Sequence, residues 1–187
     1  NLRTSAIPIL LTPRATNCMT ATIFVDTNVF VYARDNAYPQ KQQLAMQWVD
    51  RLWREQSGRT SMQVLSELYV TLTRQLRPGL SPDDAWEDVS ALMAWDPASL
   101  DRETLTRGRE IHDRYKLNWW DSLIVAAAQL QDCEILLTED LQEGMRFGQV
   151  VAQNPFHLRA SEVQASSQEL EVDVPRHRRP GRPRTRA

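Results

Sequence analysis

One run, Ser122-Leu-Ile-Val-Ala-Ala-Ala128, limits what this chain can fold into more than any other stretch. A surface helix keeps a polar face, and this one has none, so it must be buried on most sides. Asn118 is placed to cap it, and the pattern predicts a helix from Trp119 to Asp132 whose N-terminus is held at a fixed place in the fold. Trp119 and Trp120 at its start are read as packing residues of the core or its rim.

Short β-prone runs and amphipathic helices alternate around this segment. Thr22 to Val25 reads as a buried strand ending at Asp26, and Thr27 and Asn28 are suited to opening a helix. Leu44, Ala45, Trp48, Val49, Leu52 and Trp53 recur at three and four, predicting a helix over 40–56 closed by Gly58. A brief strand is expected over 59–61. Another helix is expected over 63–76, with Val64, Leu65, Leu68, Leu72 and Leu76 on its apolar side and Pro78-Gly79 ending it. Ser81-Pro82-Asp83-Asp84 starts a helix to about Met93, with proline at the first helical position and acids beside the positive end of the dipole. A helix over 101–115 and strands over 135–138 and 150–152 complete the list. The alternation points to an α/β fold, a three-layer α/β/α sandwich around a mainly parallel sheet.

With 187 residues, 42% apolar and 25% charged, the chain has room for one domain with an ordinary core. Residues 19–158 are expected to form it. Residues 1–18 are read as an N-terminal extension ahead of Met19, and 159–187 as a disordered Arg/Pro-rich tail, since its composition offers too little apolar surface to offset the entropy of ordering. Two cysteines, Cys18 and Cys133, and three histidines argue against a disulfide framework or a zinc site and fit a reducing, cytoplasmic setting. The apolar stretch Ile7 to Leu11 is interrupted by Pro8, too short for a signal peptide, and no run approaches the roughly 20 apolar residues of a membrane span. Eight of the 22 basic residues and four of the 24 acids fall outside 19–160, so that part carries 14 cations against 20 acids, a net charge near −6. Residues 176–186 hold six arginines and no acid. These are read either as an extension without a role or as a non-specific phosphate tether that compensates for the acidic core.

Four acids stand where strands end and helices begin. Asp26 follows the first strand, at the edge where open α/β sheets bind ligands, although it could simply cap the next helix. Glu67 falls beside the apolar stripe of its helix, with Gln63 one turn earlier on the same side. Asp121 is the third residue of the buried helix, where an acid also favours the dipole. Asp140 ends a strand as Asp26 does, and its neighbour Glu139, the competing candidate, is expected to point outward. Gathering carboxylates is costly, because each raises its neighbours' pKa and burial adds to the penalty. A divalent cation removes that cost, and oxygen ligands with open water positions suit Mg²⁺, or Mn²⁺ in its place. Such a site serves phosphodiester hydrolysis.

Five segments, Phe-Val-Asp26-Thr-Asn28, Gln63-Val-Leu-Ser-Glu67-Leu-Tyr, Trp-Trp-Asp121-Ser-Leu-Ile-Val-Ala-Ala-Ala, Leu-Leu-Thr138-Glu-Asp140-Leu and Asn154-Pro-Phe, come in an order and spacing that resembles the PIN-domain family, specifically VapC-like toxins of toxin–antitoxin pairs. The resemblance covers residues 22–156 and leaves the two terminal segments outside. It implies a Mg²⁺-dependent endoribonuclease with Asp26, Glu67, Asp121 and Asp140 as its acidic quartet. Asp26 and Asp121 would be primary metal ligands, Asp140 a ligand directly or through water, and Glu67 a water-mediated ligand or general base. Asn28 and Thr138 would orient the site through hydrogen bonds. It further implies RNA as substrate, a homodimer, and silencing by a VapB-like antitoxin whose tail enters the acidic groove. A metal site of this kind acts on either nucleic-acid backbone, so a DNA substrate or a non-toxin RNA-processing role stays open. A haloacid-dehalogenase-like phosphatase would need DxDxT where this chain has Asp26-Thr27-Asn28.

Overall fold

The structure, a computed structural model, describes residues 21–157. The N-terminal extension, Met19 and the Arg-rich tail lie outside the described residues. The elements are β1 (Ile23–Val25), α1 (Thr27–Arg34), α2 (Pro39–Glu55), β2 (Gly58–Arg59), α3 (Met62–Val70), α4 (Pro82–Leu92), α5 (Arg102–Tyr115), α6 (Trp119–Leu130), β3 (Ile135–Leu137), β4 (Arg146–Phe147) and β5 (Val150–Gln153). A π-turn over Thr71–Gln75 extends α3, and a 3₁₀ turn over Met93–Trp95 follows α4.

The five strands form one sheet in the order β2-β1-β3-β5-β4. Every pairing is parallel except that of β4 with β5. Helices flank both faces, giving the PIN-like three-layer sandwich. In one layer α6 packs on β3 and β5 beneath α5; in the other, α1 to α4 pack on one another. Residues 122–128 of α6 are all buried, as the all-apolar run requires. Phe24, Val25, Leu136 and Leu137 fill the middle of the sheet and are fully buried from both sides, so these parallel strands read as continuous apolar runs rather than as alternating ones.

Several boundaries differ from the expectation, each for a local reason. The helix expected over 63–76 is α-helical only to Val70. Beyond it the Leu76 N–H donates to the Thr71 carbonyl, five residues back, which keeps Leu72 and Leu76 both buried. The second strand is Gly58–Arg59, displaced from 59–61; Ser61 makes only an isolated bridge to Ala98. β4 was not anticipated. It is a two-residue arm of a hairpin whose turn contains Gly148 at φ 65°, a conformation glycine adopts without steric cost. Among the described residues no helix is long and apolar enough to cross a membrane. Cys133 is buried with a free thiol, which burial pushes up to about 12, so it is poorly reactive; Cys18 lies outside the described residues.

Candidate active site

The sheet reverses its direction of growth at β1: the chain adds β2 on one side and later β3 on the other. In such sheets the crevice beyond the carboxyl ends at the switch point is the natural ligand site. Asp26 follows β1 and Asp140 follows β3, so they flank this crevice.

Asp26 is 5% exposed and caps α1, its Oδ1 accepting from the Thr27 N–H at 2.6 Å. Its Oδ2 accepts from the Thr138 hydroxyl at 2.7 Å and from Asn28 Nδ2 at 3.1 Å. The buried Thr138 hydroxyl is fully used, since it also accepts from Asn28 Nδ2 at 3.2 Å and from the Asp140 N–H at 3.1 Å. Asn28 Nδ2 further donates to Asp140 Oδ2 at 3.1 Å. Asn28 and Thr138 thus tie the first and third strand ends together. Asp140 itself is exposed.

Glu67 is half-buried on α3. Its Oε2 accepts from the Thr27 hydroxyl at 3.1 Å and its Oε1 from Gln63 Nε2 at 3.0 Å, with Gln63 itself buried and reaching the Trp120 carbonyl at 3.4 Å. Asp121 sits in the first turn of α6. Asn118 holds it twice, accepting from the Asp121 N–H at 2.9 Å and donating from Nδ2 to Asp121 Oδ2 at 2.6 Å. All four acids, with Thr27, Asn28, Tyr32, Trp120 and Glu139, line one open cleft of about 280 Å³, and no cation is among the residues that line it.

Crowding and burial leave their mark on the carboxyls. Burial pushes Asp26 up to about 7; the hydrogen bonds from Thr138 and Thr27 oppose it, and the charges of Asp140 and Glu67 reinforce it. Asp121 is also raised, first by burial and then by the charge of Asp140. Both shifts come first from burial, with the like charge of neighbouring acids adding to it. Among the described residues no three carboxylate, imidazole or thiol groups stand close enough to form a closed metal cage. The donors are nevertheless all oxygen, and Mg²⁺ is characteristically held by one or two carboxylates while keeping several waters. Asn28 Oδ1 is buried without a donor, an acceptor that an ordered water would satisfy. The residues therefore fit a water-rich Mg²⁺ or Mn²⁺ site better than a zinc or calcium cage.

One expectation changes here and another narrows. Glu139 does not point away; it lines the cleft because Lys41 Nζ bonds its Oε2 at 2.5 Å. Trp120 is 58% exposed and Trp119 36% exposed, so they belong to the rim and not to the core. Thr27, Tyr32 and Lys41 went unnoticed in the sequence as contributors. Thr27 had a signal, its place directly after Asp26, but nothing local marked Tyr32 or Lys41.

A profile of the PIN domain matches residues 23–143, most of the described chain. No curated protein sequence matches the chain. Among solved structures, a toxin–antitoxin complex from Klebsiella pneumoniae aligns at 19% identity and TM-score 0.54, covering 74% of this chain and 100% of that one. VapBC2 from Rickettsia felis, bound to a DNA fragment from its promoter, aligns at 16% identity and TM-score 0.50, covering 71% of this chain and 98% of that one. At such identities these likenesses concern the fold. The profile match over residues 23–143, on the sheet and helices described above, places the chain in the PIN domain family.

Proposed function

We propose that this protein is a Mg²⁺-dependent endoribonuclease, the toxin of a VapBC-like toxin–antitoxin pair, working as a homodimer and silenced by a VapB-like antitoxin. The observation that carries the reading is the cleft itself: Asp26, Glu67, Asp121 and Asp140, from four separate parts of the chain, line one crevice together with Glu139, and no cation is among its lining residues. PIN domains are nucleases that use divalent cations, and the similar folds come from toxin–antitoxin complexes, which supports a nuclease that works beside an antitoxin.

In this reading Asp26 and Asp121 would hold the ion and Asp140 would do so directly or through water, with Mn²⁺ as a substitute. When bound, the ion lowers the pKa of a water and offsets charge on the phosphate oxygens. Glu67, anchored by Thr27 and Gln63, takes a proton from the attacking water. The water oxygen bonds to phosphorus as the bond from phosphorus to the 3′ oxygen breaks, that oxygen takes up a proton from solvent water, and Glu67 returns its own proton to solvent. The ends are then a 5′-phosphate and a 3′-hydroxyl. Asn28 and Thr138 keep Asp26 and Asp140 oriented, so little reorganisation is needed when phosphate arrives.

The test is cleavage of labelled single-stranded RNA by the purified protein with Mg²⁺, with Mn²⁺ and in EDTA, beside a DNA strand of the same sequence. Asp26→Ala and Asp121→Ala are expected to lower the rate at least about 100-fold while the circular-dichroism melt stays cooperative. Equal activity in EDTA, or full cleavage by folded Asp121→Ala, would overturn the mechanism. Preferential cleavage of the DNA strand would overturn the ribonuclease assignment.

A further inference from the structure

The cleft must receive a polyanion, yet its lining is acidic. Among the described residues, Lys41, near the start of α2, is a cation that touches the lining, and it does so through two residues. Its Nζ donates to the Tyr32 hydroxyl at 3.0 Å and to Glu139 Oε2 at 2.5 Å, and both Tyr32 and Glu139 face the cleft. The ammonium lies 4.2 Å from the centre of the Tyr32 ring and 5.1 Å from that of Phe156. Those two rings meet edge to face at 5.0 Å.

This is an unusual way to hold a lysine. A surface lysine keeps its rotamers free, and fixing the side chain costs conformational entropy. Here two aromatic faces and two acceptors have already fixed it, while its side chain keeps 34% of its exposure. An ammonium has three N–H donors, and among the described residues Lys41 uses two. Phe156 belongs to the segment after β5, so the clamp joins α1, α2 and the last described turn at the edge where Asp26 and Asp140 stand.

We propose that Lys41 binds the phosphate next to the scissile one in the RNA substrate, with Tyr32 and Phe156 as its clamp and Glu139 as a competing acceptor that gives way to the phosphate. The proposal rests on the ribonuclease reading and adds to it a substrate-binding residue outside the acidic quartet. Glu139 has two functions in this scheme. It keeps the ammonium at the cleft in the free protein, and it lowers affinity for RNA by competing for the same N–H groups.

The simpler account makes the pair a brace between α2 and the loop after β3, and the two accounts differ in sign. If Lys41 binds phosphate, Glu139→Gln removes a competitor and a repelling charge, and the KM for a single-stranded oligoribonucleotide falls about threefold or more. If the pair is a brace, Glu139→Gln weakens the loop that carries Asp140, and KM or kcat worsens. Lys41→Met is expected to raise KM about tenfold more than it lowers kcat, the usual scale for losing one charge-assisted hydrogen bond. It should also flatten the dependence of log(kcat/KM) on log[salt] by about 0.7, one phosphate contact on a single strand. Lys41→Arg should restore most of the loss, since it keeps the charge. An unchanged KM and salt slope in Lys41→Met, or a higher KM in Glu139→Gln, overturns the proposal while leaving the ribonuclease reading intact. Failure of the parent protein to cleave RNA with Mg²⁺ overturns both. Should Lys41→Met prove unstable, the sign of the Glu139→Gln effect still decides.

Discussion

At the end of β1, burial and hydrogen bonding pull the same carboxyl in opposite directions. Burial wins, and Asp26 is raised to about 7 although Thr27 and Thr138 both donate to it. In the unfolded chain this group titrates near its ordinary 3.8, so between roughly pH 4 and 7 the folded state binds the extra proton. Stability from this group is therefore full below about pH 4 and is lost as pH rises to about 7. In EDTA, Asp26→Asn should melt progressively higher relative to the parent as pH goes from 4 to 8, a relative gain of at most about 4 kcal/mol at 1.36 kcal/mol per unit. Added Mg²⁺ should reverse that advantage at pH 8, because it stabilises the charged carboxylate. A flat difference across this range in thermal melts would show that Asp26 is solvated and not strained by burial. The four acids were legible one by one, at strand ends and helix starts. Their hydrogen-bond partners were not, since Thr138 lies 112 positions from Asp26 and no local pattern joins them.

Among the elements, α6 was the easiest to read and β2 the hardest. The all-apolar run of α6 fixed its burial on most sides, whereas the two residues of β2 carry no periodicity at all. Gly58 owes its place to packing: a Cβ there would stand 2.5 Å from the Trp95 ring. Trp95 is 5% exposed and sits edge-on to Trp53 at 5.4 Å and against Phe30 at 5.7 Å, so it has nowhere to retreat. Gly58→Ala should destabilise the protein by about 1–3 kcal/mol through overpacking, read as a lower urea midpoint with an unchanged slope. An unmoved midpoint would mean that the ring can shift at no cost. The π-turn after α3 makes the same point from the other side. Leucines at helical spacing predicted a continuous helix, but burying both Leu72 and Leu76 took a different hydrogen-bond register.

For the whole molecule, the parallel direction of β1, β3 and β5 brings three chain ends to one edge of the sheet. Two of them carry Asp26 and Asp140, and the third leads through Phe156, packed on Tyr32, to His157. The six arginines of residues 176–186 come later in the chain and lie outside the described residues. Deleting residues 161–187 should weaken RNA binding at low salt and flatten the salt dependence of affinity. If all six arginines meet phosphate, the slope falls by up to about 4 on single strands, at roughly 0.7 per contact. An identical slope in fluorescence-anisotropy titrations would show that the tail does not touch RNA. The sequence alone determined the alternation of elements, the buried helix, the capping of α6 by Asn118 and the acidic candidates, because each depends on neighbours within one or two turns of chain. Tertiary structure decided which acids share a cleft, that Glu139 turns toward Lys41, and that Trp120 stays at the rim. Those depend on strand order and on contacts between residues about 100 positions apart, such as Lys41 and Glu139, which no local periodicity encodes.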